Sequence, residues 1–229
     1  MNVDRRSVLK GMALGSLAGL TMGATLPPLG GVHATTPGMG ADRRVLALVG
    51  QGTQHSAFVQ GARVANSQLQ LQPLDNRLDV MLGLESQLRS SQPMRVMGLL
   101  DDASASLVID LARSAGARVN WIGQHMAGPG QSRHYLLNTG IAESCARQLS
   151  RQLHACGAGF TLNEERQGSA APPRQLAGPA RSTEHSEQWA ASIGYLLASL
   201  GVRRPAMAPL VTASRTPLTG SFVSFSIET

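Results

Sequence analysis

Short apolar runs alternate along this chain with stretches in which apolar residues recur every three or four positions. The runs at 45–49, 96–100 and 118–122 predict strands, and the first two are apolar throughout, as is typical of strands buried on both faces. Helical spacing predicts helices at about 57–65 and 103–115. Strands joined by helices of this length indicate right-handed crossovers, so we expect an α/β fold with a mostly parallel, three-layer, Rossmann-like sheet.

The same pattern divides the remainder of the chain. Residues 44–162 read as the main α/β domain, and residues 163–182 are rich in proline and glycine, which predicts a loop. Within 183–229, a helix at about 184–200 and a strand at 222–227 are expected to complete the domain.

The first residues have the layout of a secretory signal. Asp4-Arg5-Arg6-Ser7-Val8-Leu9-Lys10 precedes an apolar run, rich in glycine and alanine, that extends to about Leu26. The segment resembles a twin-arginine signal peptide: Arg5, Arg6, Leu9 and Lys10 match that motif, whereas Asp4 and Val8 replace its usual Ser and Phe.

The resemblance implies export through the twin-arginine translocon to the periplasm. Val32-His33-Ala34 has the small-x-small form of a cleavage site, which predicts a signal peptide at 1–34 and a linker at 35–43. A permanent membrane anchor is not expected, because the apolar run is short and rich in glycine. Twin-arginine export is associated with proteins that fold before crossing, so it also suggests a folded redox partner or a cofactor, whose identity stays unknown.

Charge and composition narrow the classes of partner. The formal net charge is +6, Lys10 is the sole lysine, and aromatic residues make up 3% of the chain. The arginines are scattered and are not interleaved with aromatic residues that could stack on bases, so nucleic-acid binding is not expected.

The two cysteines, Cys145 and Cys156, fall in one predicted helix, eleven positions apart. At about 1.5 Å per residue they would lie roughly 16 Å apart, whereas a disulfide needs Cα atoms within about 7 Å. Two buried thiols on an apolar helix face are the simpler expectation.

The stretch from Val45 to His125 resembles the N-terminal lobe of type 1 periplasmic sugar- and amino-acid-binding proteins. The resemblance rests on Phe58-Val-Gln-Gly61-Ala62 in the first helix, on Asp101-Asp102 after a strand, and on Ala115-Gly116 at the end of the next helix. It implies a periplasmic-binding-like fold and a ligand-binding role.

Candidate binding residues follow the predicted strands, because ligands of parallel α/β sheets bind beyond the carboxyl ends of the strands. Each has a structural alternative: the Gly-x-Gly turn is also an ordinary tight turn, Asp101 or Asp102 can cap the next helix, and the histidines match no metal signature. The candidates are Gly50, Gln51, Gly52, His55, Asp101, Asp102, Gln124, His125 and Asn138.

No catalytic residue or metal site is predicted. The chain has no Gly-x-Ser-x-Gly nucleophile motif, and neither cysteine lies in a position suited to a nucleophile. We therefore expect an exported, non-catalytic protein that binds a small polar ligand or a partner protein. The alternatives are a subunit of a cofactor-dependent enzyme and an accessory or assembly factor of an exported redox complex.

Overall fold

The computed structural model describes residues 44–75, 77–142, 144–201, 207–212 and 217–229. The predicted signal peptide at 1–34 and linker at 35–43 lie outside these residues. The described part of the chain contains the following elements, together with a short 3-10 helix at Gly140–Ala142: β1 (Arg44–Val49), α1 (Ala57–Ala65), β2 (Gln70–Pro73), α2 (Leu78–Leu88), β3 (Met94–Leu100), α3 (Asp102–Ser114), β4 (Arg118–Gly128), β5 (Gln131–Asn138), α4 (Cys145–Cys156), β6 (Gly159–Arg166), β7 (Arg174–Gly178), α5 (Gln188–Ala198) and β8 (Gly220–Glu228).

The strands form one mixed sheet in the order β2-β1-β3-β8-β4-β5-β6-β7. Three pairings are parallel (β1 with β2, β1 with β3, and β5 with β6), and the other four are antiparallel. The α/β fold class is therefore confirmed, but a mostly parallel three-layer sheet is not. Two features change the strand directions: β8 inserts antiparallel between β3 and β4, and β4 returns directly as β5 through a tight turn.

Helices lie on both faces of the sheet, but they do not cover both faces equally. Helices α2 and α3 pack on a core formed by β1, β3 and β8, with Leu48, Val96 and Phe225 among its fully buried residues. Helices α1, α4 and α5 pack on the opposite face, whose core extends to Leu136 and Phe160. None of the residues in the α2–α3 core comes from β5, β6 or β7, so none of the helices in the described ranges packs on that face of these strands.

Two segments differ from the sequence-based prediction. The strand expected at 118–122 continues to Gly128. The segment expected to be a loop at 163–182 contains the end of β6 and all of β7. Both differences involve strand segments whose buried positions include polar residues, His125 in β4 and Glu164 in β6, so the sequence there shows no continuous apolar run.

Helices α1 and α5 approach each other closely at two glycines. A Cβ atom on Gly61 would overlap the backbone of Ala191, and one on Gly194 would overlap the carbonyl group of Phe58. Every residue of α5 is buried, including Trp189. The two glycines therefore allow the backbones of these helices to touch, which holds α5 deep in the core.

We predict that Gly194→Ala lowers the free energy of unfolding by about 3 kcal/mol, because the added methyl group meets backbone that cannot move aside. Chemical denaturation monitored by circular dichroism measures the change. The matched control is Gly83→Ala in α2, where a Cβ atom has no neighbour within 4 Å and stability should stay the same or rise by up to about 1 kcal/mol. Equal stability of the two variants would contradict the proposed contact.

Candidate functional site

A cleft of about 420 Å³ opens beside α3, on the part of this sheet face that the described helices leave uncovered. We call it the sheet cleft. Its side chains are mostly polar, and they come from one helix and four adjacent strands: Asp102 and Ser106 of α3, Gln124 and Met126 of β4, Arg133 and Tyr135 of β5, Thr161 and Asn163 of β6, and Ser221 and Val223 of β8.

Strand register sets the arrangement of the cleft floor. Tyr135 lies between Gln124 on β4 and Asn163 on β6, because it is their direct partner in both pairings. Two residues before Tyr135 on β5, Arg133 lies in the same way between Met126 on β4 and Thr161 on β6. Side chains directly opposite on adjacent strands are roughly 5 Å apart, so the floor is a compact grid of hydrogen-bonding groups around one aromatic ring.

Helix α3 forms the wall of the cleft, and its position is fixed by a helix cap. The side chain of Asp101 accepts hydrogen bonds from the backbone N–H of Ser104 (2.9 Å) and from its hydroxyl group (2.8 Å). These bonds, led by the one from the backbone N–H, lower the pKa of the Asp101 carboxyl. The structural alternative for Asp101 is thus confirmed, whereas the exposed Asp102 lines the cleft.

Tyr135 is held in place by a carboxylate. Its hydroxyl group donates a hydrogen bond to Oε2 of Glu165, which lies two residues beyond Asn163, the direct partner of Tyr135 on β6. The bond to this carboxylate, together with partial burial, raises the pKa of Tyr135 to about 12. The tyrosine is therefore un-ionised at neutral pH, and 39% of it remains exposed.

Directly behind the cleft, on the covered face of the same hairpin, two histidines form a buried pair. Nδ1 of His125 lies 2.9 Å from Nδ1 of His134. The outer nitrogens are also bonded: Nε2 of His125 is 2.7 Å from Oγ of Ser224, and Nε2 of His134 is 2.9 Å from Oγ of Ser132. Both rings lie about 5–6 Å from the ring of Trp189, at centroid distances of 5.2 and 5.6 Å.

One assignment of protons satisfies this whole chain of groups with both rings neutral. Trp121 Nε1–H donates to Ser224 Oγ (2.8 Å), so the Ser224 hydroxyl is free to donate to His125. His125 then donates from Nδ1 to His134, which donates from Nε2 to Ser132. Ser132 in turn donates to the Gly159 carbonyl oxygen at 3.4 Å.

Burial and mutual proximity disfavour protonation of the pair. Burial, and secondly the charge of a protonated His134, hold the pKa of His125 well below its ordinary value of 6.5. Burial lowers the pKa of His134 to about 3. Space for the pair depends on Gly123, where a Cβ atom would lie 2.6 Å from Ser224 Oγ and 2.8 Å from His125 Nε2.

The structure brings only part of the predicted set together. Asp102, Gln124 and His125 all border the sheet cleft. Gln124 and His125 were expected in a loop after a strand, but they lie within β4, and His125 turns to the opposite face. The cause is the β4–β5 hairpin, which extends the strand past the predicted end.

The turn after β1 forms its own hydrogen bonds. Gly50 N–H donates to Thr53 Oγ1, and the Thr53 hydroxyl is 2.7 Å from the Leu99 carbonyl oxygen, which ties the turn to β3. The neighbouring candidates Gln51, Gly52 and His55 are exposed and do not line the sheet cleft. This arrangement accords with the tight-turn alternative.

Asn138 lies at the far end of β5, away from the cleft. Its side-chain amide donates to Oε1 of Glu164 at 2.8 Å, so its partner is a buried carboxylate. Cys145 and Cys156 lie at the two ends of α4 and are free thiols, as expected, with Cys145 buried and Cys156 half-buried. Burial, and secondly Glu164, raise the pKa of Cys145 to about 12.

The sequence-based prediction missed most of the cleft floor. Arg133, Tyr135, Thr161 and Asn163 were absent from the candidate set. Burial alternates along most of β5, but its buried positions include the polar Ser132, His134 and Asn138, so the sequence shows no alternation of polarity. The Gly128-Pro129-Gly130 turn between 118–122 and 134–137 is the remaining signal of a hairpin.

No protein-family model, no curated protein and no solved structure matches this chain. Within the described ranges, no group of three or more His, Cys, Asp and Glu side chains is placed to hold a metal ion, and no helix is long and apolar enough to cross a membrane.

We predict that stability falls as the pH drops below about 6.5. The folded-state pKa values of His125 and His134 lie below that ordinary value, so the unfolded chain binds more protons there and unfolding is favoured. Each histidine contributes up to about 1.4 kcal/mol per pH unit. Urea denaturation at pH 7, 6 and 5 measures the slope.

The control for this prediction is His134→Gln, which removes one titrating ring. Its stability should depend on pH about half as steeply between pH 6.5 and 5, whatever its stability at pH 7. An unchanged slope in this variant would show that other groups cause the loss.

Proposed function

We propose that this chain is exported to the periplasm by the twin-arginine route and binds a small polar ligand in the sheet cleft without catalysing a reaction. The observation that carries the proposal is the grid of exposed hydrogen-bonding side chains on a part of the sheet that the described helices leave uncovered. An uncovered sheet face exposes side chains from adjacent strands at fixed spacing, which suits recognition of one defined ligand.

The chemistry of the cleft supports binding in preference to catalysis. The rings of both histidines of the hairpin are buried, and each ring nitrogen is already hydrogen-bonded within the protein. Tyr135 has a raised pKa, and its hydroxyl proton is engaged by Glu165, which makes it a poor general base. The buried thiol of Cys145 is also un-ionised at neutral pH, so it lacks the thiolate that a nucleophile needs.

Export is supported by the sequence at the N-terminus. Arg5 and Arg6 stand at the junction of a basic segment and an apolar run, as they do in twin-arginine signals. A binding protein that folds before export would reach the periplasm with its hairpin and cleft already formed.

Native mass spectrometry tests the binding proposal on protein recovered from the periplasm. The expected spectrum shows extra mass that disappears on denaturation, on a chain that begins near Thr35. The double variant Gln124→Ala, Asn163→Ala should lose that mass, since it removes both amides beside Tyr135. The control is Gln60→Ala on α1, an exposed glutamine on a helix that packs on the opposite face of the sheet, which should keep it.

Other outcomes of this experiment are equally informative. A mature chain without any bound mass would count against a small ligand and favour a partner protein as the occupant of the cleft. A bound mass retained by the double variant would place the ligand elsewhere on the molecule.

Cell fractionation tests the export proposal separately. Replacement of both signal arginines, Arg5→Lys with Arg6→Lys, should leave an uncleaved chain in the cytoplasm. A variant of one arginine in the folded domain, Arg151→Gln, should be exported and cleaved normally. Export of the double-lysine variant at the normal level would overturn the twin-arginine assignment.

A further inference from the structure

We propose that the sheet cleft takes a small cyclic ligand that carries an anionic group, with its ring against Tyr135 and its carboxylate or phosphate on Arg133. This inference rests on the proposed function, and it names the chemical class of the ligand. The two side chains follow each other at alternate positions of β5, so they lie on the same face about 7 Å apart along the strand.

Tyr135 supplies a fixed aromatic surface. Its hydroxyl group bonds to Glu165 on the neighbouring strand β6, two residues beyond the position directly opposite Tyr135. The ring therefore leans across the sheet toward β6. A ring held in this way keeps its conformation without help from a ligand. The exposed face of the ring is available for stacking. Because the ring is already ordered in the free protein, a ligand loses little binding free energy in fixing it.

Arg133 supplies a positive charge without a partner among the described residues. It is exposed, and its direct neighbours across the strands, Met126 and Thr161, are uncharged. Two acidic residues lie near the cleft: Glu165 accepts the hydrogen bond of Tyr135, and Asp102 stands on the α3 wall. A guanidinium group in this setting favours a carboxylate or phosphate, which its paired N–H groups match geometrically.

Gln124 and Asn163 complete the recognition of the ring. They flank Tyr135 in register on the two neighbouring strands, so both amides reach the edge of a ring that stacks on it. Each amide provides both donors and an acceptor, which favours a ring bearing hydroxyl groups or heteroatoms over a purely apolar ring.

The same geometry limits the ligand to a single ring with one anionic site. The floor offers one aromatic ring and one cation, and Asp102 on the α3 wall would repel further negative charge. A polyanionic chain would need a series of such pairs along the face. A monomeric compound, such as a sugar acid or a nucleoside monophosphate, meets these conditions.

Isothermal titration calorimetry of the mature protein with matched pairs of probes tests the inference. The anionic probes are glucuronate and adenosine monophosphate, and their neutral counterparts are glucose and adenosine. We expect one anionic probe to bind at least about tenfold more tightly than its counterpart. Preferential binding of glucuronate would identify a sugar-acid carboxylate as the anionic group, and preferential binding of adenosine monophosphate would identify a phosphate.

Variants separate the two contacts. Arg133→Gln should reduce affinity for the anionic probe to the level of its neutral counterpart, whereas Arg151→Gln on α4 should leave it unchanged. Tyr135→Leu should abolish binding, and Tyr135→Phe should retain part of it, because the ring stays while its bond to Glu165 is lost. Thermal unfolding of each variant checks that the sheet is intact.

The inference is overturned if neither anionic probe binds, if the neutral counterparts bind equally well, or if Arg133→Gln has no effect. These failures differ from a failure of the proposed function. A different outcome is a bound compound in native mass spectra that has no anionic ring and that the Gln124→Ala, Asn163→Ala variant loses. That result would support ligand binding in the cleft and reject this ligand class.

Discussion

Strand β8 is the connection on which the rest of the sheet depends. It lies between β3 and β4, which are not paired with each other, so it joins β2-β1-β3 to β4-β5-β6-β7. Its far end is fixed by the largely buried ion pair between Arg95 and Glu228, with an Nη2–Oε1 distance of 2.8 Å, and by a hydrogen bond from the Met94 N–H to the Thr229 hydroxyl. Without β8, the two groups of strands would have exposed edges, which are costly in a compact domain.

The same strand supplies both sides of the functional region, because successive residues of a strand point to opposite faces. Ser221 and Val223 line the sheet cleft, whereas Ser224 enters the core and bonds to His125. Its pairing with β3 also brings the start of α3, with Asp102, next to the cleft floor. The position of the cleft wall relative to its floor therefore depends on the backbone hydrogen bonds of β8 with β3 and β4.

The β4–β5 hairpin combines a rigid covered face with a polar open face. On the covered face, His125 and His134 are joined through neutral hydrogen bonds beneath Trp189, and a partly satisfied network of this kind would be costly. On the open face, Arg133 and Tyr135 contact solvent at positions set by the same two strands. A stiff backbone beneath a binding surface limits the entropy that a ligand must remove on binding.

The amino-acid sequence by itself determined where most helices and strands form. Helix α1 coincides with the predicted 57–65, and the predicted strands at 45–49 and 96–100 are confirmed to within two residues, because apolar periodicity is a local property. The cap formed by Asp101 was likewise readable, since it bonds to a residue three positions away. Tertiary structure alone decided the insertion of β8, the face on which His125 lies and the meeting of Arg133, Tyr135 and Asn163. These depend on pairings between distant strands, and several registers and directions satisfy the same local pattern until long-range packing selects one.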